Sequence, residues 1–265
     1  MLENRRKLFS AFAFTGILLL FATGTFSTSF AAKGPSAQAT PSTSKLYTGY
    51  EVTGPYSTLR VEGSWIVPTA NCSATPNSVS NISVVIDGIN GEGDGMEVGT
   101  YQDCINGVAS YGAFVNIYPM TTYFGENNGN ISTIVVHPGD VIEAQGTWRP
   151  STQKPVNWNT NFEDKTTGSV VVDTDAHSPA GFTPKLDSGA LILSSDGHTL
   201  TSLGTISSGV QYTIVHNSDI TGAQSGTTTF GEMGLATGYT LIAWQIPGTT
   251  LGTLTDGGSS FQITA

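Results

Sequence analysis

The sequence predicts an all-β fold, a two-sheet antiparallel β-sandwich. Short runs of β-branched and aromatic residues recur along the chain, and Ser, Thr, Asn and 32 glycines separate them. Helix signals are nearly absent from the same stretches. Many short strands at close spacing are typical of sandwiches, so the pattern indicates two antiparallel sheets packed face to face.

The strand candidates share a high content of Val, Ile and aromatic residues between polar or glycine-rich breaks. They are Ser64–Val67, Val84–Asp87, Ala113–Tyr118, Ser132–Val136, Val141–Gly146, Ser169–Asp173, Leu191–Leu193, Gln211–Val215 and Tyr239–Gln245. His137–Asp140 (HPGD) is predicted to be a turn, because Pro and Gly supply the backbone angles that a tight reversal needs.

The first 31 residues resemble a secretory signal peptide, so we expect them not to be part of the fold. Basic residues at Arg5–Lys7 precede the apolar run Leu8–Ala22, and Ser29–Ala31 (SFA) offers small residues to a signal peptidase. A membrane anchor is the alternative, but the run is short for a span of about 20 residues. We therefore expect a secreted, extracellular protein with no membrane partner after cleavage.

Two further segments follow the predicted signal peptide. Ala32–Lys45 is rich in Ser, Thr, Pro and Ala, which favours a flexible leader. Residues 46–265 are enough for one large all-β domain, which we expect to be a monomer.

Composition excludes some partners and favours a disulfide. The chain has 20 Asp and Glu against 10 Lys and Arg, a formal net charge of −10, which argues against nucleic acid or an anionic membrane.

An even cysteine count (Cys72 and Cys104) in an exported protein suggests a disulfide. Two cysteines and scattered histidines make no metal-ligand set, so we expect no metal and no cofactor.

Four motifs carry a resemblance to a known family. They are SWIVPTANC (Ser64–Cys72), SVVIDG (Ser83–Gly88), EVGTYQDC (Glu97–Cys104) and YGAFVNIYP (Tyr111–Pro119). In order and spacing they resemble the glutamic peptidase family, also called eqolisins or A4-type acid peptidases. The resemblance implies a concanavalin- or jelly-roll-like sandwich, a polypeptide substrate or ligand, a cleft on a concave sheet face, and a disulfide between Cys72 and Cys104.

The resemblance also locates the catalytic positions, where this chain departs from the family. Family members use a Glu as general base on water and a Gln amide as donor to the developing oxyanion. The Gln position falls on Glu97 and the Glu position on Ser194. An ionised Glu97 would repel an oxyanion, and a serine hydroxyl has no useful basicity.

Other predicted cleft residues differ from the family as well. Tyr47 and Ser83 occupy two family tryptophan positions, and Asn116 occupies that of an acidic residue. Asp87 is retained. We interpret these four residues as substrate-binding positions, and Trp65 as a core aromatic.

Three functions compete on this evidence. The first is a secreted family member with a polypeptide-binding cleft whose peptide hydrolysis is lost or altered. The second is an active acid endopeptidase in which protonated Glu97 shares a proton with Asp196, a carboxylate two residues beyond Ser194 on the same strand face. The third is a carbohydrate-binding sandwich whose candidate exposed aromatics are Tyr101, Tyr111, Tyr123, Trp148 and Trp158.

Overall fold

The computed structural model describes residues 39–54, 60–87, 89, 95–117, 120–123, 134–149, 157–177, 184–214, 226–235 and 238–265. The predicted signal peptide and the first part of the predicted leader lie outside these residues. No helix among the described segments is long and apolar enough to cross a membrane.

Within the described residues the chain forms sixteen strands and one short helix. The strands are β1 (Thr40–Thr43), β2 (Tyr47–Thr53), β3 (Arg60–Ile66), β4 (Asn81–Ile86), β5 (Met96–Ile105), β6 (Val108–Ile117), β7 (Met120–Tyr123), β8 (Val141–Arg149), β9 (Asn157–Asp164), β10 (Ser169–His177), β11 (Ser188–Ser194), β12 (Thr205–Ile214), β13 (Gly226–Thr228), β14 (Thr240–Gln245), β15 (Thr250–Leu251) and β16 (Ser260–Thr264), and the helix is α1 (Phe230–Leu235).

The strands form two large sheets. Sheet A has the order β1-β14-β2-β11-β4-β5-β6-β7, and sheet B has the order β10-β9-β8-β3-β12-β16-β15, with β13 paired to β12. All pairings are antiparallel except that of β1 with β14. The predicted two-sheet antiparallel sandwich is therefore confirmed.

The main core lies between the two sheets. The ring of Tyr50 on β2 meets that of Phe261 on β16 edge to face, with 4.9 Å between the centroids. The indole of Trp65 on β3 is 1% exposed and donates to the hydroxyl of Thr100 on β5 at 3.0 Å. This confirms the core role predicted for Trp65. Gly146 on β8 lets the sheets approach, since a Cβ there would meet the Met96 methyl at 1.7 Å.

Successive side chains along a strand point to opposite faces of the sheet. The side of sheet A that faces away from the main core therefore carries a different set of side chains. On β5, for example, Met96 and Val98 face the core between the sheets, so Glu97 and Gly99 project the opposite way. We call this side of sheet A the outer face. It carries a second apolar cluster of Val85, Ile89, Ala190 and Ile192, with Tyr47 and Trp244 packed against it.

The structure differs from the sequence prediction in one strand and in the leader. The predicted flexible leader contains β1 (Thr40–Thr43), which pairs with β14 and forms one edge of sheet A. The predicted strand Ser132–Val136 is wrong in its described part, because Ile134–Val136 has no strand structure. The turn His137–Asp140 is confirmed: the Asp140 carboxylate accepts the His137 N–H at 2.6 Å, and Gly139 has a φ of 91°.

Helix α1 was not predicted, although its start has a local signal. Thr229 and Glu232 form a capping box. The Glu232 carboxylate accepts the Thr229 N–H at 3.1 Å, and the Thr229 hydroxyl accepts the Glu232 N–H at 3.2 Å. The Thr-x-x-Glu spacing in the sequence is the pattern that could have indicated this helix.

A disulfide joins Cys72 to Cys104, as predicted. Both cysteines are buried, and the bridge closes a sequence separation of 32 residues. It ties the loop after β3 to the end of β5. Strand β5 is therefore covalently anchored at the end opposite Glu97.

Candidate functional site

Glu97 lies at the centre of a buried polar cluster on the outer face of sheet A. Its side chain is 4% exposed. The Ser83 hydroxyl, from β4, donates to Oε1 at 2.5 Å, and the Asn116 amide, from β6, donates to Oε2 at 3.2 Å. Glu97 is thus held from both neighbouring strands, and both of its carboxyl oxygens act as acceptors.

Strand register explains why these three residues meet. Glu97 is the direct cross-strand partner of Asn116, and Ser83 pairs with Gly99, two residues further along β5 on the same face. Gly99 leaves space beside Ser83, because a Cβ at that position would lie 2.7 Å from the Cβ of Ser83. The sequence-predicted residues Glu97, Ser83 and Asn116 are therefore brought together.

A row of side chains continues from Glu97 across the outer face. Direct pairing runs from Glu97 to Val85, from Val85 to Ala190, and from Ala190 to Glu51. All four residues point to the same side of the sheet. Glu51 is therefore a second carboxylate in the row of Glu97, about 14 Å away along the sheet at ordinary strand spacing.

Glu51 is a residue that the sequence reasoning missed. It is 0% exposed, and its Oε2 accepts the Trp244 indole N–H at 2.6 Å. The available sequence signal was a charged residue within the short run YTGYEVT (Tyr47–Thr53), which is rich in aromatic and β-branched residues. Trp244 joins the site with it.

Tyr47 lies among the carboxylates of this face. Its ring packs against the apolar cluster around Val85 and Ile192. Burial is the largest cause that raises the pKa of the Tyr47 phenol, followed by the negative charges of Glu97, Asp196 and Glu51. The phenol therefore stays protonated and is available as a hydrogen-bond donor or acceptor.

Ser194 and Asp196 lie elsewhere on the sheet. Ser194 pairs with Asn81, and Asn81 pairs with Tyr101, four residues along β5 from Glu97. Four residues correspond to roughly 13 Å along the strand. Asp196 accepts from the Ser194 hydroxyl at 3.0 Å and from the Asn81 amide at 2.5 Å. The register does not bring either residue to Glu97.

Asp87 anchors a loop instead of joining the Glu97 cluster. It is 1% exposed and follows β4 with a φ of 55°. Its carboxylate accepts the backbone N–H of Leu186 at 2.6 Å and that of Ser188 at 3.3 Å, where the chain enters β11. Burial raises the pKa of Asp87 to about 6, and the two N–H donors offset part of that effect.

The aromatic residues considered for sugar binding do not form one exposed surface. Trp158 is fully buried, and Trp148 and Tyr111 are partly buried against the main core. The Tyr111 hydroxyl also accepts the Ala70 N–H at 2.9 Å. Tyr101 is partly buried, and the side chain of Tyr123 lies outside the described part.

Among the described residues, neither a metal-binding cluster nor a groove beside sheet B supplies another catalytic arrangement. In the described segments, no group of three or more His, Cys, Asp and Glu side chains could hold a metal ion. A groove of about 620 Å³ borders sheet B, where Ile66, Val141, Asp256 and Gln262 contribute to its lining. Ser64, Trp65 and Ile66 of the first family motif also line it, but Tyr47, Ser83, Glu97 and Asn116 do not.

Comparison with known proteins gives one family match. The profile of the family described as "Peptidase A4 family" matches residues 46–185, slightly more than half of the chain. That range includes Tyr47, Ser83, Glu97 and Asn116 and ends before Ser194. No curated protein sequence matches the chain.

Solved structures match over a longer range. A member of the eqolisin family called SCP-B, in complex with the tripeptide Ala-Ile-His, has a TM-score of 0.56 and 14% identity, over 83% of this chain and 98% of that one. Scytalido-glutamic peptidase with a peptide-based transition-state analogue has a TM-score of 0.58 and 14% identity, with the same coverage. The same peptidase with a transition-state analogue inhibitor has a TM-score of 0.55 and 18% identity. At these identities the likeness establishes a shared fold.

Proposed function

This chain belongs to the peptidase A4 family. On that premise, we propose that it is an exported protein that binds polypeptide on the outer face of sheet A. In this proposal it has lost the peptide hydrolysis that the Gln and Glu of the family carry out. Export is supported by the basic and apolar pattern of residues 1–31. Polypeptide is the ligand class because two structurally similar proteins were solved with a tripeptide and with a peptide-based analogue.

The hydrogen bonding of Glu97 is the observation that carries the loss of hydrolysis. An oxyanion needs a donor aimed at the place where its charge develops. Glu97 holds the position of the family amide, yet Oε1 and Oε2 both accept hydrogen bonds, from Ser83 and Asn116. When it is ionised, a carboxylate engaged in this way offers an incoming oxyanion no proton, and its charge opposes the charge that develops.

Ser194, which the family motif predicts to be at the position of the base, gives independent support. The Ser194 hydroxyl donates a hydrogen bond to Asp196. Ser194 also lies two strands away from β5, at the level of Tyr101, four residues along that strand from Glu97. A general base has to reach the water that it activates, through one hydrogen bond or one bridging water. Neither Ser194 nor Asp196 stands in that relation to Glu97, so the shared-proton arrangement has no geometric support in this structure.

Titration of the mature chain with a denatured polypeptide tests the binding. Reduced, carboxymethylated casein is titrated calorimetrically, and the mixture is checked by mass spectrometry for new termini. We expect saturable binding with intact casein, and weaker binding for Asn116→Ala, which removes a side chain from the cluster. Glu143→Gln, an acidic residue on sheet B paired with Lys165, is the matched control. Absence of binding by folded protein would overturn the proposal.

A further inference from the structure

We propose that the edge of sheet A at β14 is a docking site for an extended polypeptide segment, and that β1 is an internal segment that occupies this site. An incoming segment binds by replacing β1 and pairing with β14 through its own backbone. The inference goes beyond the proposed function, because the contact lies at the edge of the sheet and not on its outer face. It is carried by the way in which β1 pairs, by the contacts that hold β1, and by the surface beside it.

Strand β1 pairs with β14 as a separate segment and not as part of a hairpin. The pairing is parallel, with Thr40–Thr43 aligned to residues 242–245. Strand β14 lies between β1 and β2 in sheet A, so the connection after β1 passes the end of β14 to reach β2 on its other side. The edge of β14 thus accepts a strand that is not its neighbour in sequence, as it would accept a strand from another molecule.

The pairing uses backbone groups that other polypeptides also carry. The Ser44 N–H donates to the Gln245 carbonyl oxygen at 3.0 Å. Successive residues of a strand direct their N–H groups to opposite edges, so the Ser42 N–H also points to β14, whereas positions 41 and 43 point away. Pro41 has no N–H and stands where none is needed. An extended segment of another sequence fits equally well unless it has a proline at a position that faces β14.

The side chains of β1 add little to the backbone pairing. The strand has four residues, at the low end of the usual range. Pro41 and Thr43 are exposed, and Ser42 is partly exposed. Ala39, which precedes β1, packs against the main core, and burial of one alanine side chain contributes little. Removing β1 therefore costs mainly the backbone pairing, which an incoming strand restores.

The connection to β2 sets how tightly a ligand has to bind. Only residues 44–46 separate β1 from β2. The Ser44 hydroxyl accepts the N–H groups of Leu46 and Tyr47 at 3.1 and 3.0 Å, which shapes this short turn. A segment attached so closely competes at an effective concentration in the millimolar range. Weak segments are thus kept off the edge, and a ligand binds when its contacts exceed those of β1.

The surface beside β14 favours a large apolar residue in the incoming segment. Ile242 and Trp244 lie on the outer face, since Ile242 pairs with Glu51 and Trp244 packs against the apolar cluster there. Both are partly exposed. Ser42, the direct partner of Trp244, has a small polar side chain. An aromatic or branched aliphatic side chain at that position would cover more of the indole and release water. The partner is therefore an extended polypeptide with a large apolar residue opposite Trp244.

Two proline variants of the mature chain test whether β1 covers this edge. Ser42→Pro removes the N–H that points to β14, and Thr43→Pro, the matched control, removes one that points away. The Gln245 N–H lies on the same edge as its carbonyl oxygen and so points to β1. We expect hydrogen exchange of this amide, measured by NMR, to be at least about ten-fold faster in Ser42→Pro and unchanged in Thr43→Pro. Thermal unfolding checks that both variants are folded.

Capped hexapeptides then test the docking. One has the sequence of residues 39–44 (ATPSTS), a second has phenylalanine in place of the serine opposite Trp244, and a third adds an N-methyl group to that phenylalanine nitrogen. Each is titrated into the chain up to tens of millimolar, and shifts of the β14 amide signals report binding. In Ser42→Pro we expect the phenylalanine peptide to bind at least about three-fold more tightly than ATPSTS and to slow exchange at Gln245. The N-methylated peptide should not bind.

Competition by β1 gives a second measurement that does not depend on Ser42→Pro. In the unaltered chain and in Thr43→Pro, the same shifts should need at least about ten-fold more phenylalanine peptide. If Ser42→Pro does not fold, the response of the unaltered chain at the highest peptide concentration decides the question.

Three results would overturn the inference. Slow exchange of Gln245 in folded Ser42→Pro would show that β1 does not cover the edge. No shift of β14 signals with the phenylalanine peptide, or an equal shift with its N-methylated form, would show that the edge does not accept a strand. The proposed function is judged separately: casein binding weakened by Asn116→Ala supports it even if the peptides fail, and absence of casein binding contradicts it even if the peptides bind at β14.

Discussion

Glu97 on β5 and Asn116 on β6 are direct cross-strand partners, and the Asn116 amide nitrogen lies 3.2 Å from Oε2 of Glu97. The sequence motifs predict that these two positions correspond to an amide and an acidic residue in the family. On that prediction, this chain carries the carboxylate and the amide in the reverse order on the two strands. The pair would then place its negative charge at the position from which the family stabilises an oxyanion.

Removal of the Ser83 hydroxyl should destabilise the fold. Ser83 is 0% exposed, and it donates the 2.5 Å hydrogen bond to a buried carboxylate. Hydrogen bonds to charged groups contribute about 1.5 to 3 kcal/mol, so Ser83→Ala should lower the free energy of unfolding by about that amount. Urea unfolding measures the change. Ser207→Ala, an exposed serine on sheet B, should stay within about 0.5 kcal/mol, and an equal effect of the two substitutions would contradict the account.

Asp87 should make the fold more stable in acid than at neutral pH. Its folded pKa of about 6 lies above the ordinary 3.8, so folding favours the protonated form. The stabilisation is complete below about pH 4 and is lost as the pH rises through 6. The loss is on the order of 2 to 3 kcal/mol. Asp87→Asn should remove this part of the pH dependence.

Unfolding measured at intervals between pH 4 and pH 7 checks this prediction. Asp256→Asn is the matched control, because Asp256 is exposed and has nearly the same φ, 52° against 55° for Asp87. The control should retain the slope of the unaltered protein. A slope that is unchanged in Asp87→Asn would show that Asp87 is not the group that titrates.

The disulfide should contribute a large part of the stability. Cross-linking residues 32 positions apart restricts the unfolded chain, and the loop-closure model gives about 3 to 4 kcal/mol for a loop of this size. We expect the double substitution Cys72→Ser and Cys104→Ser to lower the urea midpoint accordingly. A reducing agent should shift the unaltered protein toward the same midpoint and leave the double variant unaffected. Equal midpoints for all samples would contradict this expectation.

The contribution of the α1 capping box to the free energy of unfolding should also be measurable by urea unfolding. Thr229→Ala removes the hydroxyl that accepts the Glu232 N–H and also donates to the Gly257 carbonyl at 2.8 Å. Loss of such a cap costs about 1 kcal/mol. Thr229→Ser keeps the hydroxyl and should recover most of the stability. An alanine variant as stable as the serine variant would be inconsistent with the cap.

Local sequence patterns predicted the strands that alternate between core and solvent, such as β3 around Trp65. They were insufficient where backbone hydrogen bonding decides the structure. Thr40–Thr43 has little strand character, yet it pairs with β14 because ladder hydrogen bonds do not depend on side chains. Ile134–Val136 has the composition of a strand, with Val135 64% exposed and Val136 3% exposed, but forms no strand. Composition alone does not supply a pairing partner.

The candidate site was predictable only as a set of separate residues. The family motifs singled out Ser83, Glu97 and Asn116, but their contacts depend on the register of three strands. A register change of one residue would turn Glu97 to the other face. Glu51 was missed for the same reason, since only the pairing of β2 with β11 puts it in the row of Glu97. Trp158 was interpreted as exposed because its strand, β9, was not recognised.

The most direct test of lost hydrolysis is a cleavage assay with the mature chain. Folded protein is incubated with denatured casein or haemoglobin across roughly pH 2 to 7, the range in which carboxyl groups titrate, and new amino termini are counted. We predict no cleavage above that of a heat-inactivated sample at any pH. Cleavage that rises in acid and disappears in Glu97→Ala would contradict the account and would identify an active acid endopeptidase that depends on Glu97.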